Sequence, residues 1–266
     1  MAKPVKSADV TKRATSVRVG IEILPIPGLP EVLKGDDVAR RILAACGNAF
    51  LALEPGDVLV IAQKIISKAE GRLVRLSSVE PSARALELAA KLKKDARLME
   101  VILRESRRVV RDDHVLIVET HHGFVCANAG VDQSNVPGKD VVSLLPRDSD
   151  ESARRIRTAL MKRTGKDIAV IISDTFGRPW RLGLTNVAIG AAGVPVLIDL
   201  RGSRDRNAKT LHATIVAVAD EIAAAAGLVM EKNAGIPVVI VRGYRYTPVL
   251  DPASRMVRPA NEDLFR

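Results

Sequence analysis

The chain has 266 residues, of which 47% are apolar and only 3% aromatic, and it carries a formal net charge of +10. This length supports one large domain or two small ones, whose core Ala, Val, Ile and Leu must fill because aromatic side chains are scarce. No stretch approaches the roughly 20 apolar residues of a membrane-spanning helix, so we expect no membrane contact.

The N-terminal residues 1–18 are basic. They lack the apolar run of roughly 7–15 residues that marks a secretory signal, and we predict a flexible tail. Cys46 and Cys126 are the two cysteines, and they provide no disulfide framework. These features predict a cytoplasmic protein with reduced thiols.

Positive charge is concentrated between Arg84 and Arg111, a stretch that contains nine Lys or Arg and four Asp or Glu. The sequence of this stretch predicts two amphipathic helices. A solvated helix face explains such a segment. No aromatic residue interleaves with these charges, so no stacking platform for single-stranded nucleic acid is predicted. Attraction of a polyanionic small molecule, such as a nucleotide, remains open.

The first predicted elements are a short strand, a proline-rich segment and a helix. The strand covers residues 20–24. The segment Pro25–Pro30 contains three prolines and a glycine, which exclude regular structure. Asp36 or Asp37 is the predicted N-cap of the helix that follows.

A continuous apolar run, Val58–Ala62, predicts a strand buried on both faces. Gln63 and two lysines four residues apart, Lys64 and Lys68, follow it. Two alternatives stay open for the lysines. They are surface residues that favour solubility, or they contact phosphate, since a lysine ammonium is a compact point charge.

The middle of the chain predicts two capped helices and a hairpin. Ser82 caps the first helix and Asp95 the second. Two apolar runs, residues 115–120 and 124–126, flank a turn at residues 121–123 and predict a β-hairpin.

Two polar segments then follow predicted strands. Residues 127–135 contain Asp132 and Asn135, and residues 171–181 contain Asp174 and Thr175. All four side chains are hard oxygen donors, the ligands that Mg²⁺ and Mn²⁺ prefer. A metal site with Asp132 and Asp174 at strand ends is one hypothesis. Ordinary turns stabilised by Asx hydrogen bonds are the alternative.

The remaining elements alternate irregularly between strand and helix. The predicted elements are an Asp150-capped helix over Glu151–Arg163, strands at 168–172, 186–190, 194–200 and 237–241, a helix over 210–230, and an irregular tail over 244–266. Several neighbouring strands look like hairpins, and there is no regular βα spacing. This order predicts an α+β protein with a mixed sheet rather than a doubly wound fold.

No GxxxxGK[ST] or GxGxxG phosphate-binding motif is present. Several other segments together resemble the coenzyme F420-0:L-glutamate ligase family, the γ-glutamyl ligases. The matching segments are Gly28–Val32, Gly35–Asp37, Gly56–Val60, Ile66–Gly71, Asn128–Asn135, Ser173–Arg178 and Ala219–Ala223. The resemblance covers residues 19–243 and implies a two-subdomain ligase fold and a homodimer.

The resemblance also implies site residues. Leu29, Pro30, Glu31, Val32, Gln63, Lys64, Lys68 and Asn135 fall at nucleotide-binding positions, and Asp132, Asp174 and Thr175 at metal positions. Lys68, Asp132 and Asp174 are the implied catalytic residues. A further ligand is expected between Met230 and Ala234.

The implied reaction joins L-glutamate to the deazaflavin precursor F420-0, with GTP as co-substrate and Mg²⁺ or Mn²⁺ as cofactor, through an acyl phosphate. Two rival functions remain: a glutamate ligase with another carboxylate acceptor, and a non-enzymatic module that binds nucleotide or RNA. No nucleic-acid partner is expected for the ligase.

Overall fold

The computed structural model describes residues 20–230 and 235–263. The predicted N-terminal tail, residues 1–18, lies outside these ranges. Within the described residues the helices and strands follow each other irregularly along the chain, and the predicted α+β class with mixed sheets is confirmed. No helix of the described ranges is long and apolar enough to cross a membrane.

Six α-helices lie in the described residues: α1 (Val38–Asn48), α2 (Gln63–Ala69), α3 (Ala83–Leu92), α4 (Ala96–Arg104), α5 (Ser149–Thr164) and α6 (Val218–Gly227). The strands are β1 (Glu22–Pro25), β2 (Val58–Ala62), β3 (Leu73–Arg75), β4 (Ser106–Arg111), β5 (Ile117–Thr120), β6 (Val125–Ala127), β7 (Val141–Ser143), β8 (Ala169–Arg178), β9 (Arg181–Ala192), β10 (Ile198–Asp199), β11 (Ile215–Val216) and β12 (Val238–Arg242).

A five-stranded sheet with the order β1-β12-β2-β8-β9 organises the fold. Its central pair, β2 and β8, is parallel, and the other neighbours are antiparallel. Over their paired length both central strands are aliphatic except for Ser173, and all of these residues except Ala62 are buried, as expected for strands covered on both faces. Smaller sheets pair β3 with β7, β10 with β11, and β4, β5 and β6 in that order.

Two clusters of buried apolar residues cover the two faces of this sheet. Val170 and Ile172 of β8 face the cluster that includes α1 and α5. Ala169 and Ile171 face the cluster that includes α6. This alternation follows from the two-residue period of a strand. A third cluster lies between α3, α4 and the three-stranded sheet.

Most predicted helix caps are confirmed, but the prediction that Asp150 caps α5 was wrong. Asp37, Ser82 and Asp95 accept hydrogen bonds from the first turns of their helices. Asp148 caps α5, accepting from the backbone N of Glu151 at 2.8 Å.

Asp150 has a different role from the predicted cap. Its carboxylate accepts backbone N–H groups from Ala191 at 2.9 Å, Ala253 at 2.7 Å and Ser254 at 3.1 Å. This residue therefore ties α5 to β9 and to the C-terminal segment.

Three further predictions of local structure were wrong. Residues 106–111 form β4, although their basic character placed them in a helix. Residues 194–200 are largely irregular before the short β10, and residues 210–217 precede α6 and contain β11. In each case a tertiary contact decides the conformation, since β4 pairs with β5 and β11 with β10.

Residues 171–181 do not form a polar loop. They belong to a long antiparallel hairpin in which β8 and β9 extend past the rest of the sheet, with Asp174 paired with Val187 and Thr175 with Asn186. The polar sequence suggested a loop, but the backbone N–H and C=O groups of these residues form the hydrogen bonds of the hairpin.

Candidate active site

The parallel pair β2–β8 places the start of α2 beside Asp174. Ala62, the last residue of β2, pairs with Ser173 of β8. From there the chain turns into α2 at Gln63, whereas β8 continues through Asp174. Because paired strands lie about 4.8 Å apart, the first turn of α2 and Asp174 share one end of the parallel pair.

Lys64 of α2 binds the segment that contains Asp132. Its Nζ lies 2.6 Å from Asp132 Oδ2 and donates to Ser134 Oγ at 2.5 Å. Ser134 donates to the same carboxylate, from its backbone N to Oδ1 at 2.8 Å and from its hydroxyl to Oδ2 at 2.9 Å. Burial by itself raises the pKa of Asp132, but the hydrogen bonds of Lys64 and Ser134 outweigh it and hold that pKa below its ordinary value. Asp132 is therefore an ionised oxygen donor at neutral pH.

Lys68 lies one helical turn beyond Lys64 and is only 7% exposed. Its Nζ donates to Glu31 Oε1 at 2.5 Å. Residues i and i+4 of a helix share a face, so α2 presents two ammonium groups on one face. Each of them holds a carboxylate from a different part of the chain.

The segment that carries Glu31 is anchored by its apolar residues. Leu29 and Val32 pack against the core, whereas Pro30 is exposed. Gly28 and Pro30 also line a cavity of about 490 Å³ together with Arg40 and Arg41 of α1. Guanidinium groups thus flank the segment that the family resemblance implies for nucleotide binding.

Gln63 lies inside the protein rather than on its surface. It is 2% exposed, and its Oε1 accepts from Ser67 Oγ at 2.7 Å. Its Nε2 is buried and has no hydrogen-bond partner among the described residues. A buried amide in this state costs about 1–3 kcal/mol. The nucleotide contact implied for Gln63 stays a prediction.

Asp174 and Thr175 face opposite sides of β8, as successive strand residues must. On the Asp174 side, Phe176 packs edge-on against Phe124, with ring centroids 6.1 Å apart. Burial and, next, the charge of Asp174 raise the pKa of Cys126 to about 12, so this thiol is inert and close to the carboxylate.

On the other side of β8, Thr175 Oγ1 donates to Asn186 Oδ1 at 3.0 Å. Asn186 Nδ2 contacts Met230 Sδ at 3.7 Å. Met230 is the last described residue before the gap at 231–234, where the further ligand was expected, and the rest of that prediction lies outside the described residues. The structure therefore brings Thr175 toward Met230 and not to the face of Asp174.

Asn135 is exposed and lies one residue beyond Ser134. Its φ of 54° is in the left-handed region, which asparagine tolerates. Its side chain makes no hydrogen bond within the part of the chain that the structure describes.

The donor set fits a divalent cation of the Mg²⁺ or Mn²⁺ type. Among the described residues no group of three or more His, Cys, Asp or Glu could hold a metal ion by itself. Mg²⁺ needs no such group, because one or two carboxylates suffice and water and phosphate oxygens complete its shell. Asp132 already binds a cation, because its Oδ2 and the neighbouring Ser134 Oγ both contact the Lys64 ammonium. Asp132 and Asp174 would hold the ion, whereas Thr175 lies on the opposite face of β8 and its implied metal contact stays a prediction.

Two residues with a structural role in the site were not singled out from the sequence. Ser134 joins Lys64 to Asp132, and Asn186 binds Thr175 across the hairpin. Ser134 could have been found because it lies two residues after an aspartate, the spacing of an Asx turn. Asn186 required the strand register, which the sequence does not give.

Comparison with known proteins defines the class. A model of the F420-0:gamma-glutamyl ligase family matches residues 28–243. A coenzyme F420:L-glutamate ligase of Methanothermobacter thermautotrophicus is 46% identical over 252 residues, covering 93% of this chain and 100% of the relative. An enzyme of the same name from Methanopyrus kandleri is 46% identical, covering 92% of this chain and 98% of the relative. One from Methanococcus maripaludis is 38% identical, covering 97% of this chain and 100% of the relative.

The chain is thus a ligase of the class that forms amide bonds. It belongs to the F420-0:gamma-glutamyl ligase family, as the resemblance of its motifs predicted.

Proposed function

We propose that this protein joins L-glutamate to F420-0 with GTP as the energy source, and that it adds γ-linked glutamates in the same way. The relatives named coenzyme F420:L-glutamate ligase support the substrate class. The observation that carries the proposal is the face of α2 on which Lys64 and Lys68 each bind a carboxylate, beside Asp174 at the end of the parallel pair.

The first step activates a carboxylate, which is a poor electrophile. A carboxylate oxygen of F420-0 attacks the γ-phosphorus of GTP, an acyl phosphate forms, and GDP leaves. Negative charge develops on the transferred phosphoryl oxygens. Lys68 is the residue that stabilises this charge, since its buried ammonium group interacts in a low-dielectric environment.

The second step forms the amide. The α-amine of L-glutamate attacks the carbonyl carbon of the acyl phosphate, inorganic phosphate leaves, and the amine loses a proton. No protein nucleophile is required, which agrees with the inert state of the Cys126 thiol. The role of the protein is to hold the reacting groups together and to neutralise phosphate charge.

Asp132 and Asp174 would hold the divalent cation, which supplies Lewis-acid neutralisation of the phosphate oxygens. Ser134 keeps the Asp132 carboxylate oriented through its two hydrogen bonds. The strand pairing of Asp174 with Val187 fixes the direction of its side chain.

Mass spectrometry of the product tests this function directly. The enzyme is incubated with GTP, Mn²⁺, L-glutamate and F420-0, and we expect a product heavier by one or more glutamyl residues together with stoichiometric GDP. Omitting F420-0 is the control. GDP release that depends on glutamate but needs a different carboxylate would assign another acceptor. Salt-sensitive RNA binding without metal-dependent GTP turnover would refute the ligase.

We further propose that the protein acts as a homodimer through the β8–β9 hairpin. Trp180 and Leu182 near its turn are 85% and 97% exposed, and Leu184 is also exposed. A projecting apolar arm of this kind is typical of an interaction surface. Sedimentation of the Leu182→Asp variant should show a larger monomer fraction than wild type, and an unchanged mass distribution would contradict the assignment.

A further inference from the structure

The Lys64 ammonium binds Asp132, the carboxylate that the proposed function assigns to the divalent cation. The ammonium group bonds to Asp132 Oδ2 at 2.6 Å and to Ser134 Oγ at 2.5 Å. Ser134 Oγ in turn donates to the same Oδ2 at 2.9 Å. The lone pairs of Oδ2 are therefore already used by a lysine and a hydroxyl.

A metal ion and this ammonium group cannot share Oδ2. Both are positive and both need the same lone pairs, and their repulsion is strong because the Lys64 side chain is only 19% exposed. Of the two, the lysine can leave. Its four-carbon stem is flexible, and its three donors can rotate toward another acceptor.

We propose that Lys64 is an internal counter-ion that is exchanged for the divalent cation. Without substrates, Lys64 neutralises Asp132 and keeps its segment in place. When the cation binds Asp132, Lys64 is released on the face of α2 that also carries Lys68. This inference rests on the proposed function, because it takes Asp132 as a ligand of the cation.

The released ammonium has an evident acceptor. Lys64 and Lys68 are four residues apart on one face of α2, and the phosphate oxygens of a nucleotide would carry charge of the opposite sign. Cation binding and nucleotide binding should then favour each other beyond their direct contact, since the cation exposes a phosphate-binding group. Thermodynamic linkage makes this coupling reciprocal.

The test measures Mn²⁺ binding to nucleotide-free enzyme by electron paramagnetic resonance. We expect Lys64→Met and Lys64→Gln to bind Mn²⁺ about tenfold more tightly than wild type, as loss of a competing ion pair of about 1.4 kcal/mol predicts. Lys64→Gln retains a hydrogen-bond donor for Asp132 and Ser134, which keeps the segment ordered without the charge. Thermal melting of each variant verifies that it is folded.

Lys139→Met is the matched control, because Lys139 is an exposed lysine of the same segment and makes no ion pair within the described residues. It should leave the Mn²⁺ affinity within about twofold of wild type, a change of roughly 0.4 kcal/mol. Binding by both Lys64 variants that is no tighter than in Lys139→Met would overturn the exchange.

Asp132→Asn separates this inference from the proposed function. If Asp132→Asn loses Mn²⁺ binding but the Lys64 variants bind Mn²⁺ no more tightly than wild type, only the exchange is refuted. Wild-type Mn²⁺ binding in Asp132→Asn removes Asp132 from the metal site and refutes the metal assignment on which both depend. A second readout is the GTP dependence of Mn²⁺ affinity, which should weaken in Lys64→Met.

Discussion

The carboxylate of Asp57 and the guanidinium of Arg242 form a two-pronged ion pair, with Nε to Oδ1 at 2.8 Å and Nη2 to Oδ2 at 2.7 Å. Both residues are buried. The pair joins the residue before β2 to the last residue of β12, and Arg242 also donates to Ala52 O at 2.7 Å. It therefore locks one end of the central sheet, far along the strands from α2.

Removing one partner of this pair should destabilise the fold severely. Arg242→Met leaves the Asp57 charge buried without its guanidinium partner, and we expect the free energy of unfolding to fall by about 3–5 kcal/mol. Urea denaturation measures the change. Arg84→Met, which breaks the ion pairs of an exposed arginine with Glu87 and Asp112, should cost less than about 1 kcal/mol. Equal losses of unfolding free energy in the two variants would show that the buried Asp57–Arg242 pair stabilises the fold no more than an exposed ion pair does.

Gly190 and Gly47 should respond to alanine with opposite signs. A Cβ on Gly190 would lie 2.3 Å from Ser149 O, where the start of α5 crosses β9, whereas a Cβ on Gly47 in α1 meets nothing within 4 Å. Gly190→Ala should destabilise by about 1–3 kcal/mol through overpacking. Gly47→Ala should stabilise by about 0.5–1 kcal/mol, because alanine loses less backbone entropy in a helix. Thermal unfolding of both variants under one condition decides the signs.

Asp174→Asn should abolish glutamate ligation while the fold stays intact. The change removes the charge that would hold the cation but keeps the size and shape of the side chain. We expect turnover to fall by at least about 10²–10³-fold, as for loss of one electrostatic contact to a reacting group. Activity is measured at saturating Mn²⁺, with near-wild-type melting as the folding criterion. Asp113→Asn, at an exposed position paired with Lys91, serves as the control, and wild-type rates in Asp174→Asn would remove Asp174 from the site.

Glu100 gives a pH dependence of stability with a defined sign. The hydroxyl and backbone N–H of Ser82, followed by Arg104, hold the pKa of Glu100 well below its ordinary value, at about 2. Because the folded pKa is depressed, the stabilisation is fully present above the unfolded value of about 4.3 and is lost as the pH falls from there toward the folded value.

Glu100→Gln should therefore be less stable than wild type at pH 7 by about 1 kcal/mol, the usual contribution of such hydrogen bonds. The difference should shrink as the pH falls from the unfolded pKa of about 4.3 toward the folded one. Urea unfolding across this range gives the comparison. Glu87→Gln, at an exposed position on the same α3–α4 hairpin, should show no such trend. A gap that widens on acidification would contradict the assigned sign.

The central strands and the capped helices were predictable because their signals are local. The buried run Val58–Ala62 could hardly be anything other than a covered strand, and Ser82 and Asp95 each precede an amphipathic segment at the cap position. The family motifs also singled out Lys68 and Asp132, whose nucleotide and metal roles stay predictions. These elements satisfy their hydrogen bonds or bury their apolar faces within a few residues.

What the sequence could not supply was pairing over long distances. Basic residues 106–111 form a strand only because β5 offers them a partner. Asp150 looked like a helix cap, but its carboxylate binds backbone groups of Ala253 and Ser254, which are more than a hundred positions away. The contact of Lys64 with Asp132, 68 residues apart by numbering, likewise exists only after the loops have folded onto α2.

A bulge in the β8–β9 pair, between the pairs Ile172–Gly190 and Ser173–Ala188, leaves Ile189 without a partner in β8. It keeps Asp174 on the side of Val187 and Thr175 on the side of Asn186. The strand thus tolerates exchange of one side chain for another far better than a change in its length. Inserting one residue into β8 before Asp174 would exchange the two faces of the strand and turn both oxygen donors away from their present neighbours. Homologous enzymes that share this chemistry should therefore vary in composition along the hairpin while keeping the same number of residues between the bulge and Asp174.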